Sequence, residues 1–147
     1  MKLSTRSRYG LRAMMAMAMN TGNAQMMAKE IAEKQSLPLT YLEQLMVALR
    51  KAGLVNATRG AKGGYLLARK SEEISLSDII EALDGPISIA DCSDIANCCL
   101  DTEMCSLREV FDGANELLQT YFHDISLAEL VERQKARETP RAAMYYI

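Results

Sequence analysis

A chain of 147 residues that is 49% hydrophobic can build one ordinary core, or a small domain with an appended helical arm. The N-terminus lacks the layout of a signal peptide and no apolar run reaches about 18 residues, which argues against secretion and a membrane span and predicts a cytoplasmic chain. The net charge of −2 divides at Lys70: residues 1–70 carry twelve Lys and Arg against three acids (+9), and residues 71–147 carry five against sixteen (−11). A basic first half points to a polyanionic partner, although segregated surface charge alone gives the same tally.

Behind the basic residues Lys2, Arg6, Arg8 and Arg12, helical spacing of Leu11, Met14, Met15 and Ala18 predicts a first helix, ended by Asn20–Asn23. A short helix follows over Met27–Gln35 with Ala28, Ile31 and Ala32 inward. The turn Ser36-Leu37-Pro38 leads to a third helix that stops at Gly53. On that helix Leu42, Leu45, Met46 and Leu49 form the buried stripe. Thr40, Gln44, Val47 and Lys51 then face outward, with Tyr41 and Glu43 on the flanks. Two short helices joined by a tight turn, the second with polar side chains near its N-terminus, form a helix-turn-helix able to enter the major groove. Thr40-x-x-Glu43 also fits a capping box, so Glu43 has two readings, as a helix cap or as a base reader.

Leu54–Thr58, a turn Arg59–Gly64 and Tyr65–Ala68 read as strand, glycine-rich turn and strand. This hairpin is a wing whose tip carries Arg59 and Lys62 for a minor groove or phosphate. A nucleotide phosphate cradle is the other use of such a turn, but there is neither a Walker lysine-serine pair nor a strand-loop-helix context.

Further on, Ser75 caps a helix with apolar residues Leu76, Ile79, Ile80 and Leu83, ended by Gly85-Pro86. Cys92, Cys98, Cys99 and Cys105 then place all four cysteines within 14 residues. Clustered thiolates in a loop suit an iron-sulfur cluster or zinc; unligated or redox-switching cysteines are the other reading. Leu107, Val110, Phe111, Ala114, Leu117, Leu118, Tyr121 and Phe122 predict a helix of about 18 residues, about 27 Å long. Its apolar face is longer than so small a domain can cover, so a partner helix in a homodimer is expected, against packing within one chain. Ser126 opens a short helix through Leu127, Leu130 and Val131. Residues 133–147 are polar enough for a flexible tail, with 144–147 as a possible docking end.

The fold class expected is mainly α with a small β-hairpin wing: a winged helix-turn-helix over 1–85, a cysteine-rich loop over 86–106, a dimerisation helix and return helix over 107–132, and a tail over 133–147. Met1-Lys2-Leu3-Ser4 with Arg8-Tyr9, Leu39–Leu45, Leu49–Val55, Arg59-Gly60 and Gly63–Leu67 together resemble the Rrf-type winged helix-turn-helix transcription regulators, and among them the iron-sulfur cluster regulators. The resemblance implies an obligate homodimer on a double-stranded DNA operator. Thr40, Tyr41, Glu43 and Gln44 would face the major groove and Arg59 the minor groove, with Lys62, Lys2 and Arg8 as further DNA contacts. It favours base reading for Glu43, which can accept from cytosine. It also implies a cluster, 2Fe-2S or 4Fe-4S, on Cys92, Cys98 and Cys105, with Cys99 as a further candidate. Where related members place a histidine ligand, three positions beyond the last cysteine, this chain has Arg108, which is no ligand at cellular pH. Arg8 and Arg12 stand where other members draw a ligand from the first helix. His123, the only histidine, reads as a surface residue. An electron carrier or redox enzyme is the reading from another class; it lacks support from any dinucleotide fingerprint or acid-base constellation, and no enzymatic activity is expected.

Overall fold

The computed structural model describes residues 3–20, 24–60, 63–89 and 105–143, with side chains to 138. Six helices and one hairpin follow in the order α1 (Thr5–Met19), α2 (Ala28–Gln35), α3 (Leu39–Lys51), β1 (Val55–Thr58), β2 (Gly64–Leu67), α4 (Leu76–Asp84), α5 (Ser106–His123) and α6 (Leu127–Ala143). A 3-10 turn, Ser71–Glu73, joins the hairpin to α4.

The core forms where the apolar stripes of the first four helices meet. Met14, Ile31, Leu42, Leu45, Met46, Leu49, Ile74, Ile79 and Leu127 are fully buried in it. The four residues expected to face inward on α3 are the four that do. On α4, Leu76, Ile79, Ile80 and Leu83 are buried as expected. Its predicted cap is present: the Ser75 hydroxyl accepts from the Asp78 amide at 3.1 Å, and the Asp78 carboxylate accepts from the Ser75 amide at 3.1 Å.

Both helices of the helix-turn-helix end in the same motif. After α3, the Leu54 amide donates to the Leu49 carbonyl and the Gly53 amide to Arg50, with Gly53 at φ +70°. This paired closure satisfies carbonyls that the helix end leaves free and needs a left-handed residue at its pivot. After α2 the same pair runs from Leu37 to Ala32 and from Ser36 to Glu33, but the pivot is Ser36, at φ 53°.

Two expectations need correction. The buried face of α1 is Ser7, Gly10, Ala13, Met14 and Met17, while Leu11, Met15 and Ala18 are half-buried. The helix is rotated because α4 packs closely on Gly10, where an added methyl group would overlap Leu83 Cδ1. Residues 133–143, expected as tail, continue α6. Side-chain pairs at helical spacing accompany that extension: Arg133 donates to Glu129 at 2.6 Å, Lys135 to Glu132 at 2.8 Å and Gln134 to Glu138 at 2.8 Å.

The start of α1 is clasped by the end of α4. Asp84 accepts from the Ser4 hydroxyl at 2.6 Å, the Ser7 hydroxyl at 2.7 Å and the Ser4 amide at 3.3 Å. Burial pushes the Asp84 carboxyl up, but these hydrogen bonds and the Arg6 charge together hold it below its ordinary value of 3.8. A depressed folded pKa stabilises the fold above the unfolded value, and the contribution disappears as pH falls through the folded one. Asp84→Asn is therefore expected to lower stability by about 1 kcal/mol at neutral pH, given the exposure of the group, and to cost nothing once the wild-type carboxyl is protonated, well below 3.8. Urea midpoints of the two proteins at neutral and acid pH check this, and parallel curves at all pH values would refute it.

Candidate nucleic-acid interface

The α2–turn–α3 unit presents one face of α3 to solvent. Thr40, Glu43, Gln44 and Lys51 are exposed, as is Val47 at 44%. The capping reading of Glu43 does not hold: α3 starts at Leu39 with Pro38 as its N-cap and no side-chain cap hydrogen bond, so Thr40 lies inside the first turn. Pro38 opens the helix two residues earlier than the Thr40-x-x-Glu43 spacing requires.

Tyr41 takes a different place from its neighbours. It is half-buried, with its ring edge-on to Tyr9 at 6.2 Å between centroids. Arg12 lies over the Tyr9 ring at 5.5 Å and donates from Nε to Gln35 Oε1 at 2.9 Å, at the end of α2. This cluster ties α1 to the helix-turn-helix and brings exposed Arg8 to the same side, where its Nη2 donates to Thr5 Oγ1 at 3.3 Å.

The hairpin pairs Val55 with Leu67, Asn56 with Leu66, Ala57 with Tyr65 and Thr58 with Gly64. It is stitched to the segment before α2: the Met26 amide donates to the Tyr65 carbonyl at 2.9 Å and the Tyr65 amide to the Met26 carbonyl at 2.8 Å. Gly64 permits this approach, since a side chain there would overlap the Met26 carbonyl oxygen. Arg59 is exposed at the tip, beside Gly60 at φ +111°. Lys62 and Lys2 lie outside the described residues.

Reading by sequence gave no DNA-contact role to Tyr65, Lys29 or Arg50. These three line a cleft of about 410 Å³ between α2, α3 and the hairpin, together with Arg59. Burial raises the Tyr65 pKa, as does the Glu43 charge, against a lowering by Arg50. The wing base therefore sits within electrostatic reach of the α3 side chains. The positive balance of residues 1–70 was the available signal for Lys29 and Arg50; nothing in the local spacing distinguished Tyr65 from an ordinary strand residue.

Of the cysteines, Cys105 is described: it is half-buried, free, and the residue that immediately precedes α5. Cys92, Cys98 and Cys99 lie outside the described residues. Among the described residues, no three His, Cys, Asp or Glu side chains converge as a metal site. Arg108 pairs with Asp112 at 3.6 Å on α5. His123 ends α5, about 27 Å from its start, so it cannot join Cys105 around one small cluster within the same chain. A donor set made of thiolates alone suits a cluster or zinc.

On α5, Leu107, Val110, Leu117 and Tyr121 are 63%, 63%, 74% and 59% exposed. Phe111, Ala114, Leu118 and Phe122 are half-buried beside them. Polar contacts hold the helix to the chain after α4: Gln119 donates to the Ile87 carbonyl at 3.2 Å, and the Ile89 amide to Asn115 Oδ1 at 2.7 Å. No helix among the described residues is long and apolar enough to cross a membrane.

Comparison with known proteins agrees with this arrangement. The family described as "Rrf2: Iron-dependent Transcriptional regulator" matches residues 3–133. Protein rrf2 of Nitratidesulfovibrio vulgaris is 37% identical over 131 residues, spanning 89% of this chain and 87% of that protein. The structure of CymR, described as the global cysteine regulator of B. subtilis, superposes with a TM-score of 0.77 at 35% identity over 90% of this chain and 98% of that one. T. potens IscR superposes with a TM-score of 0.77 at 34% identity over 99% and 97% of the two chains. The expected winged-helix fold is confirmed, and the family and relatives such as CymR are named as regulators, a role without enzymatic turnover. The chain belongs to the Rrf2 family of transcriptional regulators.

Proposed function

We propose that this chain is a sequence-specific, double-stranded-DNA-binding regulator that works as a homodimer in the cytoplasm and senses iron-sulfur or redox status through its cysteines. The observation that carries the DNA-binding half is the exposed polar face of α3 beside a hairpin tipped by Arg59. Glu43 and Gln44 match cytosine and adenine edges in the major groove, Thr40 is placed for bases or backbone, and an arginine is drawn to a narrow minor groove. Arg8 and the undescribed Lys2 and Lys62 supply phosphate contacts, and Tyr41 fixes the helix start against α1. A twofold dimer then reads half-sites about one helical turn apart.

Cys92, Cys98 and Cys105 are the residues that would hold a cluster, with Cys99 as the nearest further thiolate once Arg108 and His123 are set aside. A bound cluster would supply an iron- and oxidant-sensitive charge there. Because Cys105 adjoins the first residue of α5, whatever fixes its sulfur fixes the start of that helix. A second reading, with zinc, thiol oxidation or a protein partner as the signal, is favoured by the likeness to CymR, described as a regulator of cysteine.

Iron, acid-labile sulfide and zinc per chain after purification without oxygen test the sensor. Iron with matching sulfide is expected; zinc or no metal selects the second reading. Arg59→Ala tests the DNA half separately. It should weaken DNA binding measured by fluorescence anisotropy while leaving the metal content and visible absorption unchanged. Loss of both together would reveal damage to the fold instead of to the interface.

A further inference from the structure

The cleft between α2, α3 and the hairpin lies apart from the outward face of α3 and shares only Arg59 with the wing tip. Lys29, Arg50 and Arg59 line it with Thr58 and Tyr65, and no acidic side chain does so among the described residues. All three cations are exposed. Lys29 has Glu33 at 3.9 Å, but both side chains are highly exposed (76% and 66%), and such a pair contributes little and yields readily to a stronger anion. Arg50 projects from the end of α3 nearest the hairpin, since β1 begins four residues after Lys51.

Position explains what this charge is for. In the reading proposed above, α3 occupies a major groove and the hairpin the adjacent minor groove. Neighbouring grooves of a duplex are separated by a single sugar-phosphate strand, so that strand must pass between α3 and the hairpin. We propose that this cleft is the seat of that strand, with Lys29 and Arg50 as phosphate contacts and the Tyr65 and Thr58 hydroxyls as further donors. The site rests on the DNA-binding reading and adds two residues that neither the helix face nor the wing tip supplies. Phosphate contacts of this kind set register and orientation and carry no sequence information themselves.

The test uses the full-length protein and a duplex recovered by selection with wild-type protein from a random-core library. Binding is followed by anisotropy across a potassium chloride series. Each lost phosphate contact releases about one counterion fewer, so Lys29→Gln and Arg50→Gln should each flatten the slope of log affinity against log salt by about one. The double variant should flatten it by about two, with sequence preference among selected duplexes unchanged. Arg50→Lys keeps the charge and should keep the slope, whereas a role in covering apolar surface would leave the slope unaltered in Arg50→Gln as well. Lys135→Gln, on α6, should leave it unaltered. If Arg50→Gln fails to fold, exposed Lys29 still decides the matter. Wild-type binding with unchanged slopes in the Gln variants would overturn this site alone. Failure of the wild-type protein to enrich or bind any duplex would remove the DNA-binding reading and this site with it.

Discussion

Replacing Val110 and Leu117 together with glutamate is expected to convert the proposed homodimer to a monomer and to lower operator affinity by at least about 100-fold. The two residues are 63% and 74% exposed on α5, in line with Leu107, Ala114 and Tyr121. Their positions, 107, 110, 114, 117 and 121, alternate in steps of three and four, the seam along which two helices interlock. None of the α5 side chains is buried within one chain, so the face has little to lose in a monomer and much in a dimer. Four added carboxylates would meet in the seam of a twofold pair, each stripped of water without a partner. Sedimentation equilibrium reads the first effect and DNA titration the second; a monomeric variant gives up the effective concentration that joins two half-sites. Because the substituted positions face solvent in the isolated chain, helical circular dichroism should persist. A variant that remains dimeric with unaltered affinity would place the subunit contact elsewhere.

The second large effect is expected at the base of the hairpin. Gly64→Ala forces a methyl group into the Met26 carbonyl, a backbone atom with no rotamer through which to retreat. The paired hydrogen bonds between Met26 and Tyr65 then have to lengthen or break. Overpacking against backbone together with two weakened hydrogen bonds amounts to about 2–4 kcal/mol. Thermal unfolding would register this. DNA affinity should fall more than tenfold even where the protein remains folded, because the hairpin is no longer held against the segment before α2. Gly60→Ala makes the useful contrast. At φ +111° it incurs backbone strain of about 1–2 kcal/mol but has open space around it. Its effect should be on the tip alone. Equal effects of the two substitutions would show that turn flexibility, and not the stitch to Met26, sets the wing.

The elements that sequence described well are those with two unlike faces. In α3 the apolar set Leu42, Leu45, Met46 and Leu49 alternates with polar residues, so its rotation was determined without any knowledge of its neighbours. The Ser75–Asp78 cap is a purely local arrangement and was equally legible. The stretch Met14–Met19 offers no such contrast: methionine and alanine occupy every position, and the phase of α1 is set by α4 packing on Gly10. α6 fails in the opposite way, with few apolar residues beyond Val131 to mark its continuation. At the interface, Glu43 was ambiguous because Thr40 and Pro38 both signal a helix start, and the helix starts after Pro38. The Tyr9–Tyr41 and Met26–Tyr65 contacts join residues far apart in the chain, which no local pattern encodes.

Ser36 occupies the left-handed pivot that glycine fills after α3. Confining a serine there costs about 1–2 kcal/mol, while a glycine would enlarge the unfolded ensemble by about 0.4–1 kcal/mol, which offsets about half of that cost. The paired hydrogen bonds of the turn link α2 to α3, and the angle between the two helices is held from within as well. That angle is imposed by Ile31, Leu42, Leu45 and Met46, all within 1% of complete burial. A reading helix aimed by close-packed side chains arrives at its target already oriented. The rotational freedom that a loosely hinged helix would surrender on each encounter with DNA has here been given up once, during folding.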